Sequence, residues 1–217
     1  KSLEARYNRL RVNFLEPPQC LNAIEKQLKN TQRWPIAAYY RLFLPDLLPN
    51  FSKIIYVDYD IIILGDLDEM FHLDLKGYNL KAVIDPNPNW NNHIFRHPKY
   101  ICSGVLLMNL KQMRQNGMTE KYIQYLKTNY SLINIADQTV FNNVDWELTG
   151  FLPPKYGVLY FGINAQQFYN GLRYKAYTVE QIDDAMNHPI IAHIISKPFK
   201  GYNNFKVSRM WWNFAML

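Results

Sequence analysis

The chain lacks sequence features that are typical of several common protein classes. Its 217 residues include only two cysteines, Cys20 and Cys102, and no CxxC pair, so a disulfide framework is excluded and a reducing compartment is favoured. No apolar run approaches the length of a membrane span. No run of five or more basic residues occurs, which argues against a dedicated nucleic-acid-binding arm. Low-complexity segments, linkers and internal repeats are also lacking.

What is present is typical of a globular protein with anionic partners. Apolar residues make up 48% of the chain and aromatic residues 15%, enough for a sizeable core. The formal net charge is +6 and the pI is about 9.2, which favours nucleotide phosphates, nucleic acid or an acidic membrane surface as partners. The charge alone does not choose among these partners.

Short apolar runs alternate with segments of helical periodicity, which predicts an α/β fold in a single domain over residues 1–217. Strands are predicted at 54–57, 61–64, 80–84, 104–108 and 190–195, with a possible edge strand at 12–15. Helices are predicted at about 35–44, 67–71, 111–115, 119–129, 137–144 and 178–186. Residues 86–99 are predicted to form a loop, and residues 146–177 an irregular aromatic segment. The near-continuous apolar runs predict a mostly parallel sheet with 54–57 at its centre and 104–108 near it.

Two aspartates follow the first of these strands, in the run Ile54-Ile55-Tyr56-Val57-Asp58-Tyr59-Asp60. Residues i and i+2 of extended backbone point to the same face, so both carboxylates would aim at one place. Two like charges so close are costly without a counter-ion, and a hard divalent cation would supply it. The sequence therefore predicts a metal site; the alternative is a solvated acidic turn.

The order of four motifs resembles glycosyltransferase family 8, the retaining transferases with a GT-A fold. The resemblance spans roughly residues 33–200. It is carried by Tyr39-Tyr40-Arg41-Leu42, by Lys53–Asp60 with Asp66-Leu67, by Ser103-Gly104-Val105-Leu106-Leu107-Met108-Asn109-Leu110, and by Asp137-Gln138-Thr139-Val140-Phe141-Asn142 with His193 and Lys197-Pro198 after it.

This resemblance implies a metal-dependent hexosyltransferase with a Rossmann-like sheet flanked by helices. The implied donor is UDP-glucose or UDP-galactose, and the implied acceptor is a glycan or glycolipid, as in lipopolysaccharide biosynthesis. Family members open with a strand–turn–helix unit that binds uridine, and nothing before Lys1 supplies it. We therefore expect a fragment truncated at its N-terminus, placed in the cytoplasm and in contact with the inner face of the membrane.

The resemblance also implies roles at the metal and the diphosphate. Asp58, Asp60 and His193 would bind Mn²⁺ (or Mg²⁺), since two carboxylates and an imidazole suit Mn²⁺ better than Ca²⁺. Arg41 and Lys197 would act on the diphosphate and form no structural ion pairs. The alternative for His193 is a core histidine. The segment after His193 departs from the family pattern, because Ser196 and Phe199 replace its Gly and Trp and the loop is about two residues shorter.

The transferred sugar would meet a second group of residues. Asp137 and Gln138 match the pair near the anomeric carbon, although an amide oxygen is a weak nucleophile and Asp137 could instead be a helix N-cap. Ser103, Gly104 and Asp85 match donor-binding positions. Cys102 stands where most relatives have Asn, which puts donor choice or rate in doubt.

The acceptor side is expected in segments 86–99 and 146–174, where aromatic rings would stack on sugar faces. The candidates, each of which could equally be a core residue, are Trp90, Trp146, Tyr156, Tyr160, Phe161, Phe168 and Tyr169.

Three other interpretations stay open at this point. A transferase-like domain that binds nucleotide sugars without turnover would fit Cys102 and the shortened loop. A haloacid-dehalogenase-like phosphohydrolase would share the DxD strand, with Asp183-Asp184 as its acidic pair, but the apolar residues after Asp60 depart from its pattern. A nucleic-acid binder is supported only by net charge, and no nucleic-acid partner is expected.

Overall fold

The computed structural model describes residues 6–7, 9–21, 24, 35–86, 99–159, 177–195, 209 and 211–213. Within these residues strands alternate with helices, as the sequence predicts. The strands are β1 (Ile54–Val57), β2 (Ile61–Ile63), β3 (Leu80–Ile84), β4 (Ile101–Met108), β5 (Thr149–Phe151), β6 (Val158–Leu159) and β7 (Ile191–His193). The α-helices are α1 (Leu44–Leu47), α2 (Asp68–His72), α3 (Leu110–Gln115), α4 (Met118–Thr128), α5 (Ala136–Val144) and α6 (Val179–Asn187). Short 3-10 helices cover Ile36–Phe43, Tyr130–Leu132, Trp146–Leu148 and Pro154–Tyr156.

The described strands form two sheets, with strand order β1-β4-β3-β5 in one and β2-β7-β6 in the other. The expectation of a mostly parallel sheet is wrong for these strands. β4 runs antiparallel to both β1 and β3, and β2 is antiparallel to β7, whereas only β3·β5 and β6·β7 are parallel. The chain re-enters the first sheet at Ile101, after residues 86–100, in the direction opposite to both neighbours.

Strand β4, not β1, is the central strand of the first sheet. All eight residues of β4 are buried, whereas the four residues of β1 are each half-buried. β1 has β4 as its only neighbour among the described strands, so its predicted central place is wrong there. The predicted closeness of the two strands is confirmed, because Tyr56 pairs with Leu106 and Val57 with Val105. The apolar runs located the buried strands, but they did not indicate which strand would be the most buried.

Side chains of β4 alternate between two apolar clusters, one on each face of the sheet. Leu106 and Met108 pack with the helical layer that includes Leu42, Tyr122 and Phe141. Val105 and Leu107 pack on the other face with Met70, Leu152 and Tyr156. This double burial fixes the register of β4, because a one-residue slip would exchange the two sets.

Most predicted elements are present, and three differ. The helix predicted at 35–44 is a 3-10 helix followed by the short α1, and residues 12–15 form no strand. The segment predicted to be irregular contains β5 and β6, which the sequence did not indicate because each is at most three residues long. Thr178 caps α6 in a full capping box, as predicted.

Among the described residues, no helix combines the length and the apolar character that crossing a membrane requires.

Candidate active site

The Asp58–Asp60 turn joins the two sheets. It leaves β1 in the first sheet and enters β2 in the second. The amide of Asp58 donates to the carbonyl of Gly104 in β4, and the carbonyl of Asp60 accepts from Ile194 just after β7, both at 2.9 Å. Between them, the ring of Tyr59 is 94% exposed. The two carboxylates are thus held by backbone bonds to different sheets.

His193 meets both carboxylates from the end of β7. Its Nε2 atom lies 3.1 Å from Asp60 Oδ1 and 3.9 Å from Asp58 Oδ2. The three side chains offer ligand atoms that all lie within 4.8 Å of one another, which bears out the predicted grouping. Burial opposes ionisation of Asp60, but the contact with His193 lowers its pKa overall. Two carboxylates and one imidazole suit Mn²⁺, so the residues present fit the implied metal.

Gly104 makes room for the His193 ring. A β-carbon at this position would lie 2.2 Å from His193 Cε1 and 3.1 Å from Asp58 Oδ2. Such a contact is impossible, because non-bonded carbon atoms approach to about 3.5–4.0 Å. The glycine is therefore required by the close approach of β4 to the histidine; its contact with a donor stays a prediction.

Cys102 lies behind the histidine, on the side away from the carboxylates. Its buried Sγ is 3.9 Å from His193 Nδ1. Burial raises the pKa of this thiol well above its ordinary value, and the charge of Asp85 adds to the effect. Cys102 is therefore a neutral thiol, and its side chain supports His193 from the nitrogen that does not face the carboxylates.

Arg41 links the metal group to the second set of predicted residues. Arg41 is buried, and its guanidinium lies 2.8 Å from Asp58 Oδ1 and 3.2 Å from Asp137 Oδ2. It also donates to the carbonyls of Ser103 at 2.8 Å and Ala38 at 3.2 Å. The expectation that Arg41 forms no structural ion pair is wrong, because two carboxylates need its charge. Its action on a diphosphate stays a prediction.

Tyr56 belongs to this site, and the sequence prediction missed it. Its hydroxyl donates to Asp58 Oδ1 at 2.8 Å, and the Arg41 guanidinium lies over its ring, 4.4 Å from the centroid. Burial raises the pKa of Tyr56, with Arg41 acting in the opposite direction. The i, i+2 spacing of Tyr56 and Asp58 was the available signal, since it places both on one face of β1.

Asp137 opens helix α5 directly beneath Arg41. Burial raises its pKa to about 6, although Arg41 and Ser103 act in the other direction. Arg41 Nε directs its hydrogen to the Ala38 carbonyl, so Asp137 Oδ2 has an ion pair but no hydrogen-bond donor in the described part of the chain. The preceding Ala136 has a φ of 37°, a strained value for a residue with a side chain. A side-chain cap on α5 is not seen, so the N-cap alternative for Asp137 is wrong.

Gln138 connects β4 to the end of β3. Its Oε1 accepts from the Ser103 amide at 3.0 Å, and its Nε2 donates to Asp85 Oδ2 at 3.1 Å. Asn142, one turn later, bonds both the amide and the carbonyl of Ile101 at 2.7 and 2.9 Å. Predicted sugar-site residues from three elements are thus joined in one buried network.

Some predicted residues take other places. Tyr156 is fully buried in the apolar cluster of Val105 and Leu107, so it is a core residue; Trp146 is half-buried. Asp183 and Asp184 lie on α6, where Asp184 pairs with His188 at the surface, 3.2 Å away. Lys197, Trp90, Tyr160, Phe161, Phe168 and Tyr169 lie outside the described residues, as do Ser196 and Phe199.

Comparisons with known proteins point to one enzyme family. The model of glycosyl transferase family 8 matches residues 2–201. Over 164 residues the chain is 30% identical to the lipopolysaccharide 1,2-glucosyltransferase of Escherichia coli K12, a match that covers 72% of the chain and 47% of that protein. It is 26% identical over 211 residues to the glycosyltransferase GlyB of Streptococcus pneumoniae, covering 95% of the chain and 48% of that protein. The chain thus spans about half the length of the curated relatives it matches.

Solved structures share the fold. The galactosyltransferase LgtC, in complex with donor and acceptor sugar analogues, superposes with a TM-score of 0.69 at 19% identity, covering 89% of this chain and 73% of that one. The glycosyltransferase GlyE of Streptococcus pneumoniae superposes with a TM-score of 0.60 at 25% identity, covering 82% of this chain and 42% of that one. At 19% identity the likeness to LgtC is one of fold alone.

Proposed function

Because the chain belongs to glycosyltransferase family 8, we propose that it moves a hexose from UDP-glucose or UDP-galactose to a glycan or glycolipid acceptor, with retention of configuration. The observation that carries the proposal is the continuous site in which Arg41 joins Asp58, Asp60 and His193 to Asp137. The residues proposed to ligate the metal and those proposed to face the sugar are adjacent, which supports transfer from a nucleotide diphosphate sugar.

Asp58, Asp60 and His193 would hold Mn²⁺ (or Mg²⁺). When bound, the metal supplies Lewis-acid stabilisation of the leaving diphosphate. Arg41, and Lys197 if it reaches the same region, would add positive charge on the phosphate side. Part of the charge of Arg41 is already offset by Asp58 and Asp137, so its first task is to pair with both carboxylates and hold them in place.

Gln138, Asp85 and Ser103 would orient the sugar. Gln138 has both ends of its amide engaged, by Ser103 and Asp85, so it is held rigidly. A bound amide oxygen is a weak nucleophile. We therefore favour attack of the acceptor hydroxyl on the same face as the departing phosphate. The anomeric carbon–phosphate oxygen bond would break as the new glycosidic bond forms, and the proton of the hydroxyl would pass to the departing phosphate oxygen.

The acceptor is proposed by analogy with the lipopolysaccharide 1,2-glucosyltransferase that the chain is similar to. A net charge of +6 favours an anionic surface, so we also propose a cytoplasmic site of action at the inner face of the membrane.

The test is hydrolysis and transfer across a panel of UDP-sugars with and without Mn²⁺. UDP release that requires Mn²⁺ and that Asp60→Asn abolishes would support the proposal. Asp184→Asn is the matched control, since Asp184 is a surface carboxylate on α6, and it should leave UDP release unchanged. Hydrolysis of p-nitrophenyl phosphate that depends on Asp184 would favour the phosphohydrolase instead. Tight, Mn²⁺-dependent UDP binding without release from any sugar would favour a catalytically impaired domain.

A further inference from the structure

The Asp58 carboxylate is held differently at its two oxygens. Oδ1 accepts from the Tyr56 hydroxyl at 2.8 Å and lies 2.8 Å from Arg41 Nη2. Oδ2 lies on the other side, 3.9 Å from His193 Nε2. One oxygen is therefore saturated by two protein donors, and the other lies beside the imidazole that also contacts Asp60.

Tyr56 is itself fixed from several directions. Its backbone pairs with Leu106 in the central strand β4, and its ring packs against the apolar cluster that contains Leu106. The guanidinium of Arg41 covers the ring at 4.4 Å. The hydroxyl is thus delivered to Asp58 by a rigid strand and has little freedom to leave it.

We propose that Tyr56 is a positioning residue for the metal: its hydroxyl holds Asp58 Oδ1 beside Arg41, so that Oδ2 alone is presented to a divalent cation shared with Asp60 and His193. This inference rests on the proposed function, because it concerns how that site is assembled. Tyr56 touches neither the cation nor the substrate; it acts through Asp58.

The physical reason is the soft rotation of an aspartate side chain. The last torsion of Asp is broad and roughly two-fold, so an unrestrained carboxylate turns between presenting one oxygen and presenting both. A donor on the outer oxygen removes this freedom. Outer partners of metal ligands typically contribute a factor of about 10–100 in metal affinity.

Tyr56→Phe is the direct test, because it removes the hydroxyl and keeps the ring beneath Arg41. Mn²⁺ alone is titrated into the protein, and free Mn²⁺ is followed by electron paramagnetic resonance. The dissociation constant should rise about 10-fold. Tyr130→Phe is the matched control: Tyr130 is half-exposed on the 3-10 helix Tyr130–Leu132, and its removal should leave Mn²⁺ binding unchanged.

A second background separates positioning from simple stabilisation. In an Asp58→Asn protein the carboxylate that Tyr56 holds in place is replaced by a neutral amide. Adding Tyr56→Phe to this protein should therefore cause no further loss of Mn²⁺ affinity. The melting temperature is recorded for every variant. A lower melting temperature with unchanged Mn²⁺ affinity in Tyr56→Phe, or an equal loss of affinity in both backgrounds, would overturn the proposal.

The two proposals fail in different ways. If the unaltered protein and Asp60→Asn bind Mn²⁺ equally, the metal site of the proposed function is wrong, and the positioning role falls with it. If Asp60→Asn loses Mn²⁺ binding and Tyr56→Phe matches the unaltered protein, the metal site stands and the role of Tyr56 is rejected.

Discussion

Helix α5 has a buried carboxylate at each end, and the two carboxylates have different kinds of partner. Burial raises the pKa of both Asp137, in its first turn, and Asp145, just after Val144, to about 6. Asp145 accepts hydrogen bonds from the Tyr122 hydroxyl and from Asn79 Nδ2. Asp137 faces the charged Arg41 instead, and its Oδ2 has no hydrogen-bond donor among the described residues.

The difference supports the proposal that Asp137 has a functional role, whereas Asp145 is structural. Asp145 has neutral donors on both oxygens, so its network is complete and needs no ligand. Asp137 has a cation nearby and an incompletely bonded oxygen, an arrangement that is costly unless a ligand uses it. Burial and pKa alone would not have distinguished them; the identity of the partners does. The following variants test this contrast.

The largest effect is expected from Arg41→Met. Removing the cation leaves Asp58 and Asp137 without their shared partner, and breaking a buried ion pair costs about 3–5 kcal/mol. Urea unfolding should report this loss. Arg114→Met is the control: within the described part of the chain Arg114 donates to the carbonyls of Pro45, Leu48 and Phe51 and pairs with no carboxylate. Equal losses in the two variants would contradict the special role of Arg41.

Asp137→Asn should act on transfer and spare the fold. We expect hexose transfer to fall by about 100-fold, the size seen when one electrostatic group is removed from an active site. Stability should fall by less than in Arg41→Met, because Arg41 keeps Asp58 as an ionic partner and a buried charge is exchanged for a neutral amide. Asp145→Asn should show the reverse pattern, with transfer retained. Initial rates and unfolding curves of both variants, measured together, decide the matter.

The pH dependence of the unfolding free energy should reveal the raised pKa of Asp145. Its folded-state pKa, about 6, lies above the unfolded value of about 3.9. The folded state therefore holds this proton more tightly, and the associated stability is complete below the unfolded pKa and is lost as pH rises through the folded pKa. The loss should be of the order of 3 kcal/mol.

Asp145→Asn removes this titration. The unfolding free energy of the variant, relative to the unaltered protein, should therefore rise between about pH 4 and pH 7 by the amount lost from Asp145. A difference that stays constant across this interval would show that Asp145 titrates normally in the fold.

The smallest effect is expected from Tyr122→Phe. It removes one donor from Asp145 and keeps the aromatic contact with Phe141, whose ring centroid is 5.5 Å away. The unfolding free energy should fall by about 1 kcal/mol, as for one lost hydrogen bond. Hexose transfer should be unchanged; a clear loss of transfer would mean that the Asp145 network reaches the site.

The metal-binding part of the site was largely predictable, because its residues stand next to short apolar runs that are visible in the sequence. Asp58 and Asp60 follow an apolar strand, and His193 ends another, so local pattern and family resemblance together placed all three. The ion pairs of Arg41 and the hydrogen bond of Tyr56 were not predicted, because they depend on side-chain directions after long-range packing. The same holds for the fold: the strands were visible as apolar runs, but the antiparallel direction of β4 depends on how the chain returns after residues 86–100.

The Asp58–Asp60 turn has a mechanical consequence. One end is bonded to β4 of the first sheet and the other to the residue after β7 of the second, so the turn is a short tether between two sheets that share apolar clusters. Val105 lies in one cluster with Ile191, and Ile84 lies in another with Ala192. A displacement of one sheet against the other would change the distance of Asp58 from Asp60 and His193, because His193 lies in β7 and Asp60 is bonded to the residue after β7. A ligand that fixes this distance would resist sliding of the sheets. A core substitution that shifts a strand would likewise move the carboxylates, although the substituted residue does not contact them.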